Sequence, residues 1–144
     1  MAPFGDDLIN FYSAKYLKLL NPKFVKVIEG ADGRIVGFIV GLPSMSEAMQ
    51  KANGNLFPFG FIHILKALRR PKVIDLLLTG VDPQMQGKGV PAILIFELQK
   101  VMLEHGVTEV ETTGMFESNQ KAIQHWKSYD HIQHKRRRCY RKMF

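Results

Sequence analysis

Residues 73–81 read Val-Ile-Asp-Leu-Leu-Leu-Thr-Gly-Val, and this almost unbroken apolar run constrains the fold more than any other stretch. It is too short for a typical helix and predicts a strand covered on both faces. Beyond a short loop, residues 91–105 place Leu94, Ile95, Leu98, Val101 and Met102 on one helical face, with Gly106 positioned to end the helix. The intervening residues 81–92 therefore leave a buried strand and open a core-facing helix. The glycines there permit close backbone approach, and the free N–H groups and positive dipole end of a helix start suit a pyrophosphate.

The remaining elements follow from periodicity and turn chemistry. Asp6 and Asp7 precede Leu8, Phe11, Tyr12, Tyr16 and Leu19 at helical spacing, and Asn21-Pro22 stops that helix. Residues 24–29 and 34–41 form two β-rich runs joined by Ala31-Asp32-Gly33, which predicts an antiparallel hairpin. Helices are expected over 44–52 and 59–70, the second with Phe61, Ile62, Leu65 and Leu68 on its apolar side. Burial is the favoured expectation for Phe57, Phe59 and Phe61, with an acceptor cleft as the alternative. Residues 107–113 read as a strand, Ser118 or Asn119 as the cap of a helix running to about 128, and residues 131–142 as a final strand. At 144 residues this is one mixed α/β (α+β) domain, with helices packed on a twisted sheet.

Composition narrows the function classes. No apolar run reaches the roughly 18 to 20 residues of a membrane span, so a soluble protein with no membrane partner is expected. Cys139 is the single cysteine and has no internal disulfide partner, which together with the lack of a secretory leader points to the cytoplasm. The formal charge of +7 is concentrated in Lys66, Arg69, Arg70, Lys72 and the run His134-Lys135-Arg136-Arg137-Arg138. Such charge attracts anions, including RNA, but Cys139-Tyr140 interrupts the run and no nucleic-acid signature accompanies it. His125, His131 and His134 follow no recognised ligand spacing, so no metal is expected.

The loop itself, Val81-Asp82-Pro83-Gln84-Met85-Gln86-Gly87-Lys88-Gly89-Val90-Pro91-Ala92, lacks the spacing of a Walker phosphate loop. It resembles motif A of the GNAT superfamily of N-acetyltransferases, Val-x-Pro-x-x-Gln/Arg-x-x-Gly-x-Gly/Ala, with Val81, Pro83, Gln86 and Gly89 in register. Gln84-x-x-Gly87-x-Gly89 fits the short glycine motif in a second register, at the expense of Val81 and Pro83. Pro91 departs from the motif's Gly or Ala; proline suits a first helical turn but removes one N–H donor. The resemblance runs over about residues 24–142, and Asn55-Leu56-Phe57-Pro58-Phe59-Gly60 resembles the C-terminal part of a longer, poorly characterised bacterial acetyltransferase-like family.

That resemblance implies a GNAT-like mixed sheet with helices on both faces, and acetyl-CoA as cosubstrate at Val81, Gln86, Gly87, Lys88, Gly89, Val90 and Ala92. Asn119 resembles the asparagine near the coenzyme's pantetheine arm, while a plain helix cap is the alternative. Asp75, six residues before Val81, resembles the position of the glutamate base in histone-type members; Glu111 and Glu117 are alternatives. The superfamily's tyrosine acid falls at Trp126, which leaves Tyr129, one turn further on, as the substitute. The implied activity is acetyl transfer to a primary amine of a small molecule or peptide by direct attack in a ternary complex. A non-catalytic coenzyme A-binding or interaction domain is the alternative, and a basic RNA-associated module a more distant one. The superfamily fold opens with a further strand and helix, so the domain is expected to be N-terminally incomplete, with a helical insertion at about 44–70, and to leave a sheet edge that a homodimer can fill.

Overall fold

A computed structural model of the chain describes residues 5–17 and 20–143. Five helices and four strands follow in the order α1 (Asp6–Tyr16), β1 (Val25–Glu29), β2 (Ile35–Pro43), α2 (Ser46–Lys51), α3 (Gly60–Arg69), β3 (Val73–Val81), α4 (Val90–Glu104), β4 (Glu109–Thr112) and α5 (Gln120–Gln124), counted among the described residues. Leu19, expected on the first helix, lies outside them.

The strands form one mixed sheet in the order β1-β2-β3-β4. The expected hairpin is present: β1 and β2 are antiparallel, with Gly33 at φ 79° in the turn between them. β3 pairs antiparallel with β2 and parallel with β4, so α4 is the crossover helix that a parallel pair requires. Its Val90, Leu94, Leu98 and Met102 close on Ile39, Ile74, Leu76, Phe24 and Val107 to form the core. Gly37 makes this approach possible, because a Cβ there would stand 2.6 Å from Val90 Cγ1. Gly106, at φ 71°, ends the helix as its position predicts.

Three expectations need correction. Residues 131–143 form no strand and are exposed; the succession of like charges at 134–138 and the four-residue length of β4 leave little to zip a fifth strand onto. β3 is not covered on both faces throughout: Leu77, which stands at a bulge in the ladder with β2, and Leu78 are exposed. The face of the sheet away from α4 is covered only in part among the described residues: Val40 is buried, whereas Val27, Phe38 and Leu78 are exposed. Finally, α3 forms where expected, but its apolar side faces solvent, and Phe57, Phe59 and Phe61 are exposed with it.

Candidate functional site

The loop between β3 and α4 is built from the ladder outward. Asp82 N–H donates to the Val36 carbonyl at 2.9 Å as the last tie to β2, and the Asp82 carboxylate accepts from Gln84 N–H at 2.8 Å, capping a single helical turn over Pro83–Met85. Gly87 and Gly89 then adopt φ 77° and 81°, a left-handed backbone that strains any residue carrying a Cβ. Nothing lies within 4 Å of where a Cβ would stand at either glycine, so conformation and not crowding requires them, and the space in front of the loop is open.

Gly89 is the N-cap of the 15-residue α4, and no side chain caps it. The N–H groups of Gly87, Gly89, Val90 and Ala92 find no acceptor among the described residues. Pro91, in the first turn, contributes none. Four unpaired donors at the positive end of a long helix form a cradle for an anion, and exposed Lys88 adds charge beside it.

A second feature adjoins the cradle. β4 follows β3 only over Val73–Leu76, and the last ties are Thr113 N–H to the Leu76 carbonyl at 3.2 Å and Thr113 Oγ1 to the Leu77 carbonyl at 3.4 Å. The bulge at Leu77 thus turns two successive carbonyls toward β4, after which the strands part. Because Asp82 donates to β2, the alternation of an antiparallel ladder directs the backbone groups of Val81 and Thr79 into the gap. The result is a strand edge leading to an anion cradle. Sequence reasoning included Val81 but missed Thr79; an isolated glycine within a strand, Gly80, was the available signal of an irregularity nearby.

The carboxylates lie on the face of the sheet opposite α4. Asp75 and Glu111 are register partners across β3 and β4. Burial pushes the Asp75 carboxyl above its ordinary value, the nearby Glu111 charge adds to this, and the Ser44 hydroxyl and Lys135 ammonium oppose it. Asp75 Oδ1 is buried and has no hydrogen-bond partner among the described residues. Glu111 is in the reverse situation: a 2.6 Å bond from Lys135 Nζ holds its carboxyl low, and His134 Nε2 lies 3.6 Å away. Glu117 stands 3.7 Å from Arg136.

The late-helix residues are not drawn into this group. Asn119 caps α5, its side-chain oxygen accepting from Ala122 N–H at 3.3 Å. Trp126 packs against the core, and its ring centroid lies 5.9 Å from that of Tyr129. The Tyr129 hydroxyl makes no hydrogen bond to Asp75 or Glu111.

Comparison with known proteins gives a consistent result. The family model described as Acetyltransferase (GNAT) family matches residues 6–129. Protein YghO of Escherichia coli (strain K12) is 32% identical over 109 residues, covering 72% of this chain; the chain spans only 28% of that protein's length. Among solved structures, aminoglycoside N-acetyltransferase AAC(6')-Iy in complex with CoA superposes with a TM-score of 0.56 at 20% identity, covering 94% of this chain and 88% of that one. Aminoglycoside 6'-N-acetyltransferase AAC(6')-IG from Acinetobacter haemolyticus gives a TM-score of 0.57 at 14% identity, covering 98% and 85%. At these identities the two structures establish a shared fold.

Proposed function

The chain belongs to the GNAT acetyltransferase family, and from that premise we propose that it transfers an acetyl group from acetyl-CoA to a primary amine of a small molecule or peptide, within a ternary complex. The observation that carries this reading is the cradle of unpaired N–H groups at Gly87, Gly89, Val90 and Ala92, set at the end of a strand edge that has lost its neighbour. Acetyl-CoA supplies the activated thioester. In our reading the cradle and Lys88 hold its pyrophosphate, Gln86 borders them, and the backbone of Thr79 and Val81 orients the pantetheine amides as a missing strand would.

Asp75 is our candidate base. Attack on the thioester requires a neutral amine, so a proton must leave the acceptor's ammonium, and a carboxylate whose proton affinity burial has raised accepts it more readily than Glu111, which Lys135 holds ionised. Tyr129 is our candidate donor to the departing thiolate, reached by movement of the α5 end or through water. Asn119 would serve the pantetheine arm with the amide nitrogen that its capping bond leaves over. A cytoplasmic setting fits a lone cysteine and a cytosolic cosubstrate.

A second reading, a coenzyme A-binding domain without turnover, is favoured by two particular residues. Pro91 withholds one donor from the cradle, and Trp126 occupies the position of the acid and is packed against the core. Thiol release from acetyl-CoA over a panel of primary amines separates the two: sustained amine-dependent release supports transfer, and binding without release supports the second reading.

A further inference from the structure

The α2–α3 segment carries chemistry to which the proposed function assigns no role. Between Glu47 and Asp75 the sequence contains no acidic residue; Lys51 is ion-paired with Glu47, and Lys66, Arg69, Arg70 and Lys72 supply four further cations. Apolar side chains share the same surface. Phe57 is 81% exposed, Phe59 69% and Ile62 50%, and the Phe57 and Phe61 rings lie 6.2 Å apart as a surface pair. Helix α3 packs chiefly on α2, which leaves its apolar side uncovered by the sheet. Ile62, Leu65, Lys66, Arg69 and Arg70 line an open hollow of about 460 Å³.

An apolar patch of this kind marks an interaction surface. Its chemistry distinguishes between partners. A protein partner's binding groove would bury the long cationic side chains as well as the rings, and each cation would then need a placed carboxylate. A bilayer accommodates both without such matching: rings enter the boundary between acyl chains and headgroups, and Lys and Arg stems extend outward to phosphates. We infer that the α2–α3 segment is a docking surface for an anionic phospholipid bilayer, with Phe57, Phe59 and Ile62 entering the boundary region and Lys66, Arg69 and Arg70 meeting the lipid phosphates. This is peripheral contact and requires no spanning segment; among the described residues no helix is long and apolar enough to cross a membrane.

Co-sedimentation of the whole chain with vesicles tests it. Vesicles of phosphatidylcholine mixed with phosphatidylglycerol should retain the protein about tenfold more than phosphatidylcholine alone, and raised salt should release it. Arg69→Gln with Arg70→Gln should remove that preference, and Phe57→Ser with Phe59→Ser should lower partition into both vesicle types by a comparable factor. All four positions are exposed, and an unchanged far-ultraviolet spectrum in each variant verifies that the fold persists. No partition, or equal partition into both vesicle types, overturns the inference. Concentration-dependent self-association abolished by the Phe57→Ser, Phe59→Ser pair, without vesicle binding, overturns it in favour of a second copy.

Discussion

The β3–α4 unit and the α2–α3 segment start from comparable sequence signals and end in opposite environments. Both contain helices with an apolar stripe at regular spacing, yet Leu94 and Leu98 of α4 are each 1% exposed whereas Leu65 of α3 is 46% exposed. The difference lies in what the chain places next to each stripe. α4 is tied at both ends to parallel strands, so the crossover brings its apolar side down on the sheet, and Gly37 removes the side chain that would hold it off. α3 connects two antiparallel neighbours, β2 and β3, that a tight hairpin turn could join, so connectivity does not press it onto the sheet. Periodicity reports which side of a helix is apolar; topology decides whether that side is covered.

The largest test of this contrast is a matched pair of truncations. Leu98→Ala should cost roughly 2 to 5 kcal/mol of unfolding free energy, the range for a fully buried leucine, and Leu65→Ala should stay within about 0.5 kcal/mol. Denaturant titration of both variants measures this, and similar losses would mean that α3 is packed in solution. Next in size is Gly89→Asp, which adds a charge to the cradle and a Cβ to a residue at φ 81°. Acetyl-CoA affinity should fall at least about a hundredfold, while Gly89→Ala, which brings only the backbone strain of about 1 to 2 kcal/mol, should fall less. Calorimetric titration would show whether charge or conformation dominates.

A smaller effect separates the two carboxylates. Asp75→Asn should lower acetyl transfer at neutral pH more than it lowers acetyl-CoA binding, and Glu111→Gln should lower transfer less than Asp75→Asn does. Stability provides an independent check with a definite sign. Because burial raises the folded-state value of Asp75, the folded chain loses stability as pH rises from the ordinary carboxylate value through that raised one. Asp75→Asn should therefore raise Tm at neutral pH, and the gain should vanish in acid below the ordinary carboxylate value, where Asp75 is protonated in both states. A Tm difference independent of pH would remove the titration from the explanation.

The free edge of β1 gives the smallest expected signal, a weak concentration-dependent association. β1 has no strand partner on its outer side among the described residues, and edge pairing with a second copy is the simplest way to fill it. Sedimentation over a concentration series measures it.

Legibility in the sequence follows the same physical division. The hairpin was readable from Asp32-Gly33, the crossover from the run at 73–81 and the stripe of α4, and the cradle from two glycines between them, because each of these depends on neighbours close in sequence. The parting of β3 from β4 was not, since a bulge at Leu77 depends on how two ladders meet at that strand. The tail was misread as a strand because Cys139-Tyr140 and Ile132 have strand-like character that only an available neighbour could use, and β4 offers four residues. Asp75 was the first candidate on sequence and Glu111 an alternative; the burial of Asp75 and the pairing of Lys135 with Glu111, across 24 residues, are contacts that sequence spacing does not display.

In the proposed function, one continuous backbone surface from the β3 edge to the start of α4 receives acetyl-CoA. Amide-resolved NMR during an acetyl-CoA titration tests it most directly. The largest shifts should fall on the N–H groups of Thr79, Val81, Gly87, Gly89, Val90 and Ala92, with α3 amides unmoved. Saturable binding whose shifts cluster on α3 or residues 131–143 and leave those six amides unchanged would contradict it.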